Sequence, residues 1–165
     1  MNDPEPMLSH VFVLGLNADE TEYEVIGKVG DIAPDESIWS ARFIGDKAYI
    51  VTFRNIDPLW TIDLSEPTNP RIIGELKIPG VSTYIHPVGD THLLTIGIAG
   101  DDEGLDWGVT QISFFDVSDF SNPILESELK LNPAPNGENG WSYSHSEATY
   151  AVSYTHLTLP TKSSG

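Results

Sequence analysis

The densest group of potential metal ligands in the sequence is a short acidic segment. Four carboxylates fall within six residues, and Gly100, Gly104 and Gly108 permit tight backbone turns around them. Carboxylate and carbonyl oxygens are the ligands that Ca²⁺ prefers, and the spacing is not that of an EF-hand loop. Two interpretations stay open: a calcium site, or a solvated acidic turn in a chain with 25 acidic residues. The candidate metal ligands are Asp101, Asp102, Glu103 and Asp106.

The sequence holds none of the common catalytic signatures. It has no Gly-x-Ser-x-Gly elbow, no His-Glu-x-x-His motif and no phosphate-binding Gly-x-x-x-x-Gly-Lys loop. Its histidines are scattered, and no two have the spacing of metal ligands on one predicted element. The histidines are His10, His86, His92, His145 and His156. We therefore predict a protein that is not an enzyme, with no catalytic residue and with calcium as the one candidate cofactor.

Four tryptophans could serve as a carbohydrate-binding platform or as packing within the fold. Trp39 and Trp60 lie in apolar runs, for which packing is favoured. Trp107 and Trp141 fall in segments that we predict to be loops, so both interpretations stay open for them.

These side chains must be positioned by β-strands. Fourteen Gly and 12 Pro separate short runs rich in Val, Ile, Thr and aromatic residues, and apolar residues do not recur at helical spacing across three turns. The sequence therefore predicts an all-β fold. The predicted strands are 10–16, 23–29, 38–44, 47–54, 59–64, 71–78, 83–88, 92–98, 111–117 and 124–131.

An internal repeat indicates which kind of all-β fold this is. Residues 63–70 (Asp-Leu-Ser-Glu-Pro-Thr-Asn-Pro) return 53 positions later as residues 116–123 (Asp-Val-Ser-Asp-Phe-Ser-Asn-Pro). Upstream, the Gly45-Asp46 and Gly89-Asp90 turns are 44 positions apart. The second copy therefore carries nine extra residues, the difference between 53 and 44, and they fall around the acidic segment.

Four-stranded units of about 45 to 50 residues are typical of propeller blades. We predict a partial β-propeller of about two and a half four-stranded antiparallel blades. A blade fragment is expected at about 10–30, full blades at about 37–79 and 82–131, and the start of another at about 144–150.

Several longer runs resemble a known family. They are residues 37–46 (Ser-Ile-Trp-Ser-Ala-Arg-Phe-Ile-Gly-Asp), 48–54 (Ala-Tyr-Ile-Val-Thr-Phe-Arg) and 74–80 (Gly-Glu-Leu-Lys-Ile-Pro-Gly). Together with the repeated Asp-x-Ser element, they are similar to bacterial and archaeal secreted proteins with a C-terminal β-propeller domain. The resemblance covers roughly residues 10 to 150.

This resemblance implies an extracellular, periplasmic or cell-surface protein that binds a protein or a glycan without catalysis. The alternative is the propeller portion of a secreted hydrolase whose catalytic residues lie outside this chain. The opening residues 1–6 have neither the basic start nor the apolar core of a signal peptide, so none is predicted in this chain.

The end of the chain departs from the family pattern. Residues 152–161 (Val-Ser-Tyr-Thr-His-Leu-Thr-Leu-Pro-Thr) resemble the translation of a transposase sequencing adapter. We therefore predict that residues 151–165 are a non-native tail, which leaves residues 1–150 as the partial propeller domain.

Charge and composition exclude several classes of partner. Eight Lys and Arg against 25 Asp and Glu give a formal net charge of -17, which repels phosphate backbones and anionic lipids. No apolar stretch approaches the roughly 18 residues of a membrane span. We expect no nucleic-acid partner and no membrane insertion by this chain. The absence of cysteine rules out disulfides and thiolate metal sites.

Overall fold

A computed structural model describes residues 6–53, 57–101 and 104–131 of the chain. These residues form ten β-strands and no α-helix. The strands are β1 (Ser9–Leu16), β2 (Tyr23–Ile32), β3 (Ser37–Ile44), β4 (Lys47–Phe53), β5 (Asp57–Asp63), β6 (Arg71–Ile78), β7 (Val81–Val88), β8 (His92–Asp101), β9 (Gly104–Asp116) and β10 (Ile124–Leu131). Each predicted strand corresponds to one of them.

The strands are arranged in three antiparallel sheets in which sequence neighbours pair. β1 and β2 form an N-terminal pair, β3 to β6 form a first blade, and β7 to β10 form a second blade. Four-stranded antiparallel meanders are the blades of a β-propeller, so the predicted fold class is confirmed. The predicted start of a further blade at 144–150 and the tail at 151–165 lie outside the described residues.

β4 shows how the layers are held together. Its successive side chains point to opposite faces. Ala48 and Ile50 pack against the N-terminal pair, whereas Tyr49 and Val51 face the second blade. The core between the blades consists of Tyr49, Val51, Leu59 and Ile78 from the first blade with Val81, Ile85, Leu93, Ile98, Phe115 and Val117 from the second.

The repeated segments form equivalent turns between the third and fourth strands of the two blades. In the first blade, Oδ1 of Asp63 accepts a hydrogen bond of 2.9 Å from the backbone N–H of Ser65. In the second, Oδ1 of Asp116 accepts one of 2.7 Å from the N–H of Ser118. These aspartates therefore stabilise the chain reversal, as short polar side chains in turns commonly do.

Stability at acid pH should depend on Asp63. Hydrogen bonds from Ser65, and to a lesser extent the charge of Arg71, hold the pKa of Asp63 below its ordinary value of 3.8. The unfolded state therefore binds this proton more tightly, so the stabilisation is complete above the unfolded pKa and is lost as the pH falls through the lower folded pKa.

The substitution Asp63→Asn keeps an oxygen that can accept the Ser65 hydrogen bond but cannot titrate. Urea denaturation between about pH 5 and pH 3 should therefore show a shallower loss of unfolding free energy in Asp63→Asn than in the wild type. Equal slopes in the two proteins would contradict a role for this carboxylate.

Candidate functional site

The nine extra residues of the second blade lengthen a β-hairpin. β8 has 10 residues and β9 has 13, compared with seven in each of β4 and β5. After a register shift between Ile98 and Ala99, which skips residues 107–109 of β9, their pairing resumes with Ala99 opposite Asp106 and ends with Asp101 opposite Gly104. The expectation of a loop here was therefore wrong, because cross-strand pairing resumes beyond the register shift in a segment whose glycines and acidic residues favour a turn.

Two of the four predicted calcium ligands lie on this hairpin, and Asp102 and Glu103 lie outside the described residues. Oδ1 of Asp101 accepts a hydrogen bond of 3.2 Å from the N–H of Gly104, and Oδ1 of Asp106 accepts one of 3.1 Å from the N–H of Gly108. Both carboxylates line an open depression. Calcium binding by the hairpin stays a prediction.

Aromatic rings gather at the base of the same hairpin. Trp107 lies in β9 rather than in a loop, and its exposed fraction is 47%. Its ring centroid is 6.2 Å from that of Trp39, which in turn makes an edge contact of 5.5 Å with Phe53. Trp39 packs against the core between the blades, and Trp60 packs against the core next to the N-terminal pair. The predicted packing roles of Trp39 and Trp60 are confirmed, and Trp141 is outside the described residues.

A second group of possible ligands lies at the opposite end of the second blade. One ligand atom from each of His92, Asp116 and Glu126 lies within 4.8 Å of the others. His92 begins β8, Asp116 ends β9, and Glu126 lies in β10. Within the described part of the chain, no other group of three or more such residues is this compact.

The side chains of this cluster are held by their neighbours. The Nδ1 atom of His92 is 2.8 Å from the hydroxyl of Thr91, and the ring stacks on Phe114 with centroids 5.0 Å apart. Nε2 of His92 is 3.5 Å from a carboxylate oxygen of Glu126. Hydrogen bonds from Ser118 are the largest cause that lowers the pKa of Asp116, so this carboxylate is ionised at neutral pH.

This cluster has no local signature in the sequence because its members are on three strands. His92 and Asp116 become neighbours only through the pairing of β8 with β9. Glu126 joins them at a bulge, since Leu125 pairs with Phe115 and the next pair is Ser127 with Phe114. The available signal is the alignment of the two blades strand by strand. This alignment places His92, Asp116 and Glu126 at the same end of the second blade.

A cavity of about 210 Å³ lies beside the cluster, between the two blades. The first blade contributes Lys47 and Tyr49 to its lining, and the second contributes Asp90, His92 and Leu93. Burial raises the pKa of Tyr49, so its hydroxyl stays protonated at neutral pH. The lining therefore combines apolar walls with a few polar groups, as small-ligand sites commonly do.

Sequential four-stranded sheets packed face to face define this chain as a β-propeller protein. A family model described as "Beta propeller domain" matches residues 2–155, which is most of the chain. The chain therefore belongs to the β-propeller domain family, and the resemblance drawn from its motifs is confirmed in this respect.

Two archaeal relatives match the chain over much of its length. An uncharacterized protein of Methanocaldococcus jannaschii is 44% identical over 128 residues, covering 78% of this chain and 19% of the relative. An uncharacterized protein of Archaeoglobus fulgidus is 34% identical over 150 residues, covering 78% of this chain and 23% of the relative. The chain thus spans about a fifth of the length of these relatives.

In its described residues, no helix has the length and apolar character needed to cross a membrane.

Proposed function

We propose that this chain is a non-catalytic binding module of an extracellular, periplasmic or cell-surface protein, and that it binds a protein or a glycan. The observation that carries the proposal is the long hairpin of the second blade. It presents the half-exposed Trp107 on the same element as two carboxylates, Asp101 and Asp106. Tryptophan is enriched where proteins bind partners, since its ring offers a large apolar surface and its N–H a hydrogen bond.

The charge of the chain supports a neutral or basic partner. A net charge of -17 opposes binding to nucleic acids and to anionic lipid surfaces. On the hairpin, the carboxylates could accept hydrogen bonds from sugar hydroxyls or pair with basic side chains while Trp107 stacks on an apolar face. Such a surface would bind its partner without catalysing a reaction.

Binding to isolated archaeal cell envelope is the direct test. Envelope preparations are immobilised in two forms, one treated with protease and one stripped of glycans. Loss of binding to the first form indicates a protein partner, and loss of binding to the second indicates a glycan. We expect Trp107→Ala to weaken binding about tenfold or more, because truncation of a tryptophan at the centre of an interface commonly has an effect of this size.

Phe43→Ala is the matched control, since Phe43 is also an exposed aromatic residue. It lies near the end of β3 in the first blade, whereas Trp39, which contacts Trp107, lies near the start of that strand. Its binding should stay within about twofold of the wild type. Equal losses in both variants, or no loss in either, would overturn the assignment to the hairpin. Hydrolysis of envelope polymers by the whole protein, with the catalytic residues outside this chain, would favour the secreted hydrolase instead.

A further inference from the structure

The two blades contain an internal control for the cluster of His92, Asp116 and Glu126. His92 pairs with Asp116 across β8 and β9, and Lys47 pairs with Asp63 across β4 and β5. Lys47 is therefore the counterpart of His92, and Asp63 that of Asp116. The aspartate is common to both blades because it stabilises the turn, whereas the residue opposite it changes from a lysine to a histidine.

The other two positions also differ between the blades. The bulged residue of β6 is Ile73, between the paired residues Ile72 and Gly74, and Glu126 occupies the same bulge in β10. In the first blade Arg71 makes an ion pair of 3.3 Å with Asp63. The residue at the corresponding position of the second blade is Ile124. Near the turn aspartate, the first blade therefore has two permanently charged cations, Lys47 and Arg71. The second blade has neither at the equivalent positions, and it has the additional carboxylate of Glu126.

Blade architecture does not require these exchanges, since the first blade folds the same way with Lys47, Arg71 and Ile73. The second blade instead brings two carboxylates and an imidazole together, with ligand atoms within 4.8 Å of one another, and a cation is the direct compensation for two carboxylates placed so close. A bulge commonly re-aims a side chain, and here it brings the Glu126 carboxylate toward the histidine.

We propose that His92, Asp116 and Glu126 bind a divalent transition-metal ion of the zinc class. One imidazole nitrogen and two carboxylate oxygens are a donor set suited to zinc, whereas calcium and magnesium prefer oxygen ligands throughout. Ligand atoms within 4.8 Å of one another need movements of about 1 Å or less to reach bond lengths of about 2.0 to 2.2 Å.

The neighbours of the ligands support this role. With Nε2 of His92 on the metal, Nδ1 carries the proton and donates to the hydroxyl of Thr91, an arrangement that commonly fixes a metal-binding histidine. The N–H of Ser118 orients the Asp116 carboxylate. Three protein ligands leave a fourth position of a tetrahedral ion for water or for a group of the bound partner.

Zinc binding by the 165-residue chain tests the proposal. Competition with a fluorescent zinc indicator, at protein concentrations around the expected Kd, should give one site with a Kd of about 1 μM. Glu126→Gln preserves the size of a half-exposed side chain and should weaken zinc at least about tenfold, and His92→Ala should weaken it further. Calcium and magnesium at the same concentration should not displace the zinc.

His86→Ala is the matched control, because His86 belongs to the same blade, its ring stacks on Tyr84, and it is not one of the three clustered residues. Its zinc affinity should equal that of the wild type, and far-ultraviolet circular dichroism should show that every variant keeps its β-sheet. Absence of zinc binding would mean that the three side chains are neighbours that hold no metal ion, which overturns the proposal. Zinc affinity that is unchanged in Glu126→Gln and His92→Ala would overturn it too.

Discussion

Replacement of Gly74 by alanine should lower the free energy of unfolding by about 2 to 3 kcal/mol. A Cβ atom at this position would lie 2.5 Å from Oγ1 of Thr61 and 2.9 Å from the carbonyl oxygen of Ser121. The Thr61 hydroxyl donates a hydrogen bond of 2.7 Å to the carbonyl of Phe120 in the second blade. The added methyl group would therefore displace Thr61 from a bond that joins the blades, and would also press on the backbone of the facing turn.

Urea denaturation followed by tryptophan fluorescence at high dilution measures this effect. Ser127→Ala is the matched control, because residue 127 is the counterpart of Gly74 in the second blade and its side chain is exposed. Its unfolding free energy should change by no more than about 0.5 kcal/mol. A loss of similar size in both variants would mean that close packing at Gly74 is not the cause.

The same kind of contact occurs at both copies of the repeated turn. The turn of the first blade packs on Gly27 of the N-terminal pair through Pro67 and Pro70, just as the turn of the second blade packs on Gly74. Each Asp-x-Ser-x-x-x-Asn-Pro turn thus fits against a glycine in the last strand of the unit before it. A larger residue in place of either glycine would press on the backbone of the neighbouring turn.

The positions of the strands could be predicted because each strand carries its own signal. β4 has apolar residues on both faces, which indicates a strand between two layers, and the prolines at 70 and 123 come directly before β6 and β10. The hairpin of β8 and β9 was not predictable in this way. Its tip has the composition of a turn, and the strands extend there because each supplies hydrogen-bond partners for the other.

The two candidate sites differ in the same way: one has a local sequence signal, and the other depends on strand pairing. The acidic segment is local in sequence and was found at once, although only Asp101 and Asp106 lie in the described residues. The cluster at His92 has no local signature, since its ligands come from three strands and depend on one register and one bulge. The two blades differ at the positions of His92 and Glu126 and share the turn aspartate, so the difference between equivalent strands is the only trace that the cluster leaves in the sequence.

Two apolar faces should make the 165-residue chain associate when it is expressed alone. On the N-terminal pair, Leu14 lies opposite Val25 and Leu16 opposite Tyr23, and each of these side chains is at least half exposed. On β10, Leu129 is 55% exposed. Its counterpart in the first blade, at position 76, packs against the core between the blades. These faces match those that neighbouring blades cover in a closed propeller, which has at least four blades.

Analytical ultracentrifugation at micromolar concentration should therefore find dimers and larger species, because exposed apolar sheet faces favour association. The double variant Leu14→Glu and Leu129→Lys places a charge on each face and should shift the chain toward monomer. Phe43→Lys is the control, since it replaces an equally exposed side chain in β3, outside both faces, and should leave the distribution unchanged. A monomeric wild-type chain that unfolds cooperatively on heating at that concentration would show that these faces do not need a partner.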